Sequence, residues 1–161
     1  MDIFEYALQM EKDGENFYRR IAEKAGSAGV RTIVTMLADE EVKHYKAIEG
    51  IRQGRSGQMA ETTILDDARN VFVQMKDERD EFAADQEQVE LYEKARQIEK
   101  RSQQFYEEKA GQAGRTDQRQ LFEQLAAEEA KHYFLLGNLI EFVSRPKQWL
   151  ENAEWYHLEE Y

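Results

Sequence analysis

The sequence contains no cysteine and a single proline among its 161 residues. The absence of cysteine excludes a disulfide framework, a thiolate zinc site, an iron–sulfur cluster and a thiol nucleophile. With almost no proline, long helices can run through nearly the whole chain. Charged residues make up 34% of the chain, and the good helix formers Glu, Lys, Arg, Gln, Ala and Leu are abundant. The composition therefore predicts an all-α protein with one main domain.

The chain also lacks an excess of positive charge and any long apolar run. Its net charge is −11, from 22 Lys and Arg against 33 Asp and Glu. Such a protein repels a phosphate backbone, so nucleic acid is not an expected partner. No stretch of about 18 apolar residues is present to span a bilayer. Residues 1–5 lack the basic region of a secretory signal. We expect a cytoplasmic protein without membrane contact.

Apolar residues recur at helical spacing in four long segments, which predicts four long helices. Glycines punctuate the turn within each pair, and we expect the turn at 26–29 to end the first helix with glycine C-cap chemistry. Two shorter helices complete the prediction, the last of them opening after Pro146. In chain order, the six helices are expected at about 3–25, 30–51, 64–75, 88–111, 117–143 and 147–159.

One motif occurs twice, with a constant offset of 88 residues. Residues 7–45 and 95–133 align without a gap, so each copy is one helical hairpin. The first copy comprises Glu11, Tyr18 and Glu41-Val42-Lys43-His44, and the second comprises Glu99, Tyr106 and Glu129-Ala130-Lys131-His132.

Two hairpins joined by a long connection predict a four-helix bundle with a crossover. We expect the bundle to occupy residues 1–145, with repeats at about 1–51 and 88–143 and a crossover at 52–87. Residues 146–161 then form a C-terminal aromatic helix or tail.

The repeated motif places four carboxylates and two imidazoles at one level of the predicted bundle. Glu41 and His44 lie one turn apart on one helix face, and the repeat duplicates the pair. This is the ligand inventory of a two-metal carboxylate site inside a four-helix bundle. Ligands without sulfur suit iron or manganese, with zinc as a further candidate. The predicted metal ligands are Glu11, Glu41, His44, Glu99, Glu129 and His132, with Glu41 and Glu129 as the bridging carboxylates.

Other residues near the motif admit more than one interpretation. Glu40 and Glu128 lie four residues before the histidines and are competing ligands, but we favour the glutamates three residues before them. Tyr18 and Tyr106 lie two turns beyond the first glutamate of each copy. Their hydroxyls are candidates to hydrogen-bond a ligand carboxylate as catalytic accessory groups, or they are core aromatics. His157 has no repeat copy, so we assign its segment to packing on the bundle or on a second subunit.

At these residues the chain resembles the rubrerythrin branch of the ferritin-like superfamily. The resemblance rests on the segments Met10-Glu11…Phe17-Tyr18 and Leu37-Ala38…Glu41…His44 and on their second copies. It implies a ferritin-like bundle with two iron ions that react with hydrogen peroxide or dioxygen, in a protein that forms homodimers.

Two departures from the rubrerythrin pattern shape the functional hypothesis. Rubrerythrins usually add a rubredoxin domain with four cysteines, so here electrons are expected from a separate donor such as a rubredoxin-like protein. They also carry an extra glutamate where this chain has Ser102. We expect a non-haem di-iron oxidoreductase that reduces hydrogen peroxide. The alternatives are a dioxygen-dependent ferroxidase or oxidase, and a non-catalytic bundle that buffers iron or zinc.

Overall fold

The computed structural model describes residues 2–55, 58–80, 83–152, 155 and 158. Within these residues the chain forms six helices and no strand, which confirms the predicted all-α, ferritin-like bundle. None of the described helices is both long and apolar enough to cross a membrane. The helices are α1 (Ile3–Lys24), α2 (Ala28–Arg52), α3 (Ile64–Glu78), α4 (Gln86–Gln112), α5 (Thr116–Ser144) and α6 (Pro146–Glu151).

Two helical hairpins form the bundle, α1 with α2 and α4 with α5. Helix α3 lies in the crossover between them and packs against α2, α5 and α6. Helix α4 begins with a capping box, in which the Asp85 side chain accepts the backbone N–H of Gln88 and the Gln88 side chain accepts the backbone N–H of Asp85. This reciprocal pair satisfies two backbone donors that a helix start leaves unpaired. It fixes where the second hairpin begins.

The turn between α1 and α2 differs from the glycine C-cap that the sequence predicts. Helix α1 ends at Lys24, and the next residue, Ala25, has an extended backbone at φ −70° and ψ 126°. Gly54 is the one glycine with positive φ among the described residues. Helix α2 instead begins with a side-chain cap, because Ser27 Oγ accepts the backbone N–H of Val30. The glycine C-cap expectation was wrong because an extended residue reverses the chain without a left-handed one.

The end of the crossover is fixed against the start of α2. The Asp80 carboxylate accepts hydrogen bonds from the Ser27 hydroxyl at 2.7 Å and from the Gly29 backbone N–H at 3.1 Å. A Cβ added at Gly29 would lie 2.3 Å from Met75 Cγ, so glycine is required for α3 to approach this closely. These contacts tie the crossover to the first hairpin.

Helix α6 is shorter than predicted and ends at Glu151 rather than near 159. Asn152 is extended with ψ 121°, and the Trp155 indole N–H donates to the Leu150 carbonyl at 3.2 Å. A continuing helix would use that carbonyl for its own backbone bond. Trp155 and Leu158 are buried in the apolar core, whereas the predicted features at Glu154, Tyr156 and His157 lie outside the described residues.

The bundle interior contains two apolar clusters with a polar layer between them. One cluster includes Tyr18 and Leu37, and the other includes Leu8 and Tyr106. Along α1, Glu11 lies between Leu8 and Tyr18, and therefore between the two clusters. The buried carboxylates and imidazoles thus occupy the middle of the bundle, enclosed by packed side chains on both sides.

Candidate metal centre

The six predicted ligand residues converge on this middle layer from four helices. Each helix of the bundle contributes at least one carboxylate, and α2 and α5 also contribute an imidazole one turn further along. Every one of the six side chains is buried, with Glu41 the most exposed at 4%. In order along the chain, they are Glu11, Glu41, His44, Glu99, Glu129 and His132.

The six residues form two overlapping sets rather than one ring. One set is Glu11, Glu41, His44 and Glu129, and the other is Glu41, Glu99, Glu129 and His132. Within each set, one potential ligand atom per residue lies within 4.8 Å of every other. Glu41 and Glu129 belong to both sets, which is the position that bridging carboxylates require.

The inner atoms of the cluster lack hydrogen-bond partners, although they are buried. His44 Nδ1 lies 3.0 Å from Glu129 Oε1, yet neither atom is oriented for a hydrogen bond. Buried polar atoms without partners are costly, and a cation at their common centre would satisfy them together. The donor set therefore fits metal ions with carboxylate and imidazole ligands. The inner atoms without partners are Glu11 Oε2, His44 Nδ1, Glu99 Oε2, Glu129 Oε1 and His132 Nδ1.

When protons rather than metal ions balance the charge, the four carboxyl groups form two pairs that differ in the direction of their pKa shifts. Burial and the neighbouring carboxylates raise the pKa of Glu41 and Glu129 well above its usual value. Burial would also raise the pKa of Glu99, but His132 outweighs it and lowers that pKa to about 2. His44 lowers the pKa of Glu11 in the same way. These shifts favour the protonated form of the two shared carboxyls and the ionised form of the two unshared ones.

The two imidazoles are the matching cations of the metal-free cluster. Burial alone would lower the pKa of both histidines. Glu11 reverses this effect at His44 and raises its pKa well above the usual value. Glu99 and Glu40 raise the pKa of His132 to about 10. A metal ion must displace these protons, because only the neutral imidazole ligates.

The two tyrosines of the motif bind carboxylates of the opposite hairpin. The Tyr18 hydroxyl donates to Glu99 Oε1, and the Tyr106 hydroxyl donates to Glu11 Oε1, each at 2.5 Å. Burial and the adjacent carboxylates raise the pKa of both phenols well above 10, so both remain donors. Each hydroxyl therefore orients the outer oxygen of an unshared carboxylate.

Glu40 and Glu128, the competing ligand candidates, lie outside both sets. They face the outer nitrogens of the histidines, again from the opposite repeat. Glu128 Oε1 lies 2.9 Å from His44 Nε2, within hydrogen-bond distance. Glu40 Oε1 lies 3.5 Å from His132 Nε2, which makes no hydrogen bond with any described residue. An imidazole N–H held by a carboxylate on one side presents its other nitrogen to a metal.

A small cavity reaches the shared carboxylates between α1 and α4. It is lined by Gly14 and Tyr18 of α1, by Ser102 of α4, and by Glu41 and Glu129. Its volume is about 10 Å³, which is room for roughly one water molecule. A Cβ added at Gly14 would lie 3.0 Å from Glu41 Oε2. The missing side chain at Gly14 therefore leaves room for the Glu41 carboxylate.

Sequence comparison agrees with this geometry. A family model described as Rubrerythrin matches residues 2–140. The chain belongs to the rubrerythrin family. No curated protein and no solved structure matches the chain significantly. A rubrerythrin with this buried cluster of carboxylates and histidines is a candidate metal-binding protein.

Sequence reasoning missed two residues of this rubrerythrin that contact the outer carboxylates. Lys43 Nζ lies 3.2 Å from Glu40 Oε2 and 3.1 Å from Glu128 Oε1. Thr62, in the crossover, hydrogen-bonds both of these carboxylates. Lys43 recurs at position 131, so the repeat did not distinguish it. Thr62 has no repeat copy, and no local pattern marked it.

Proposed function

We propose that this rubrerythrin is a di-iron peroxide reductase that receives its electrons from a separate donor, such as a rubredoxin-like protein. The observation that supports the proposal is the sharing of Glu41 and Glu129 between two Glu/His sets. Shared carboxylates would let two metal ions bind as neighbours, which suits a two-electron reaction. Bound there, two ferrous ions would supply two electrons that, with two protons, reduce hydrogen peroxide to two water molecules.

The side chains of the cluster hold the two positions and balance their charge. Glu11 and His44 would complete the ligands of one ion, and Glu99 and His132 those of the other. Four carboxylates neutralise two divalent cations while both histidines are neutral. The apolar clusters above and below exclude water from these groups.

The small size of the cavity between α1 and α4 is evidence that the oxidant is a small molecule. Its lining reaches the shared carboxylates past Gly14 and Ser102, and its size excludes an organic substrate. Tyr18 lines the same cavity and keeps its phenolic proton, so its hydroxyl holds Glu99 in place while the oxidant enters. We also propose a homodimer, on the strength of the family resemblance, and size-exclusion chromatography with light scattering would test it.

An iron titration separates the proposed reaction from its alternatives. The purified protein is loaded with Fe(II) without oxygen, and the visible absorption of the oxidised centre is followed after hydrogen peroxide or dioxygen is added. We expect about two Fe(II) per chain and faster oxidation by peroxide. A reductant should bleach the absorption, and further peroxide should restore it.

Each alternative has its own outcome in that titration. Faster oxidation by dioxygen would replace the peroxide reductase with a ferroxidase or oxidase. Tightly held zinc or iron without a redox response would indicate a buffering bundle. The control is Glu41→Ala, which removes a shared ligand and should abolish the response while circular dichroism shows the helices intact.

A further inference from the structure

Residues 58–63 of the crossover, here called the strap, lie across α2 and α5 on the outer side of the cluster. The Gln124 side chain of α5 donates to the Met59 carbonyl at 2.9 Å. The Thr62 backbone N–H donates to Glu128 Oε2 at 3.2 Å, and its hydroxyl donates to Glu40 Oε1. One strap residue therefore binds the outer carboxylates of both repeats.

Lys43 completes this arrangement from α2. Its ammonium group contacts both outer carboxylates and also donates to the Ala60 carbonyl of the strap at 3.2 Å. Three partners account for the three donors of an ammonium group. Lys131 occupies the same place in the second repeat, but its ammonium lies 3.6 Å from Glu61, whose side chain is 83% exposed.

The carboxylates that Lys43 and Thr62 hold are those that face the outer histidine nitrogens. Glu128 is 1% exposed and binds His44 Nε2 at 2.9 Å. Thr62 and, at 3.5 Å, the Gln124 side chain donate to Glu128 Oε2, and Lys43 contacts Glu128 Oε1, so these contacts hold the carboxylate against the imidazole. His44 Nδ1 then stays directed at the cluster.

We propose that Lys43 and Thr62 are positioning residues that act through Glu128 to fix the metal-binding nitrogen of His44 and, without a hydrogen bond and so less strongly, through Glu40 on His132. The inference rests on the proposed metal site. It assigns to the strap a role in setting metal affinity, and the effect is larger at His44, whose carboxylate contact is shorter than that of His132. Removing the carboxylate partner of a ligating histidine typically weakens metal binding by about 10–100-fold, and the loss of Lys43 or Thr62, which act through that partner, should lie at the lower end of this range.

The repeat supplies a matched pair of variants, Lys43→Met and Lys131→Met. The two lysine side chains are similarly exposed, at 28% and 26%, but only Lys43 contacts the outer carboxylates among the described residues. Binding of Co(II) is followed by its visible absorption. Solvent exchange of the histidine Nε2–H protons is followed by NMR, with and without metal.

We expect Lys43→Met to weaken Co(II) binding by about tenfold and to speed the exchange of the His44 Nε2–H proton. Lys131→Met should stay within about twofold of the unchanged protein, and Lys43→Arg should recover part of the loss. Equal affinities and equal exchange in the two Met variants would overturn the proposal.

A second pair decides the matter if Lys43→Met does not fold. Thr62→Val loses the hydroxyl at nearly constant volume, and Thr62→Ser keeps it. Faster exchange of the His44 Nε2–H proton in Thr62→Val than in Thr62→Ser supports the proposal, and identical exchange in the two variants contradicts it. If the unchanged protein bound no metal, the proposed function would fail. The Nε2–H exchange measured without metal would still test whether Lys43 and Thr62 position His44.

Discussion

The half of the cluster around His44 and the half around His132 have the same ligand types but different surroundings. His44 Nε2 has a carboxylate partner at 2.9 Å, whereas the equivalent distance at His132 is 3.5 Å. Lys43 joins the outer carboxylates, whereas Lys131 contacts an exposed glutamate. The repeat supplies the same inner ligand types to both halves, while the crossover, which has no second copy, contacts the outer carboxylates and makes the two halves unequal. Four predictions test this comparison, from the largest effect to the smallest.

Removing a shared carboxylate should affect both halves, and removing an unshared one should affect a single half. Glu41→Ala and Glu129→Ala each take a ligand from both sets, so we expect loss of nearly all bound metal. Glu11→Ala should lower occupancy at the His44 half and Glu99→Ala at the His132 half, leaving about one metal per chain. Elemental analysis gives the metal content, and circular dichroism controls for folding. Full occupancy in both Glu41→Ala and Glu129→Ala would refute the ligand assignment.

A rise in pH should destabilise both halves when no metal is bound. The pKa of His132 is about 10 in the folded protein, against 6.5 for an ordinary histidine. Its proton therefore stabilises the folded state fully at pH values below about 6.5. That stability is lost as pH rises through about 10. The pKa of Glu41 and Glu129 is raised as well, so loss of their protons at higher pH also lowers the free energy of unfolding.

The pH effect is measured as the melting temperature of chelator-treated and metal-loaded protein between pH 7 and 10. We expect a fall of at least about 5 °C without metal and a much smaller one with metal, because ligation has already displaced the protons. Parallel curves for the two forms would show that the cluster is not the titrating element.

Substitution of the outer carboxylates should show the inequality directly. Glu128→Gln weakens the acceptor at His44 and should lower metal affinity by about tenfold or more. Glu40→Gln, at the longer distance from His132, should cost only a few-fold. Isothermal titration with Zn(II) measures both. Equal losses would mean that the two halves are held alike, contrary to the distances.

The smallest expected difference concerns the two positions at the cavity, Gly14 and Ser102. A methyl group at Gly14 meets the Glu41 carboxylate at 3.0 Å, so Gly14→Ala should weaken metal binding by a few-fold. Because alanine is a better helix former than glycine, the same substitution also stabilises α1 by up to about 1 kcal/mol. Ser102→Ala should leave affinity unchanged. A melting curve and a Co(II) titration together distinguish helix stabilisation from displacement of Glu41.

Much of the fold and the inner cluster could be predicted from the sequence because both depend on local periodicity. The helical spacing gave the four long helices to within about two residues. The repeat predicted that Glu41 and Glu129 lie between the two sets, and the structure brings them there. Their role as metal ligands stays a prediction.

The rest depends on the path of segments that carry no period. Thr62 reaches Glu128 only because the crossover passes over α2 and α5, and no spacing rule gives that path. The wrong predictions of a glycine C-cap at the 26–29 turn and of a longer α6 have the same origin. Ala25 and Asn152 have extended backbone at the ends of α1 and α6, and no periodicity in the sequence marks either position.

Tyr18 of the first hairpin donates to Glu99 of the second, and Tyr106 of the second hairpin donates to Glu11 of the first. Each hairpin carries a tyrosine whose acceptor is on the other hairpin, so neither hairpin contains a complete set of oriented carboxylates. Two identical hairpins paired about a twofold axis would make the same exchange. The inner cluster is therefore a property of the interface between two units, and the crossover that joins them into one chain is also the segment that makes them unequal.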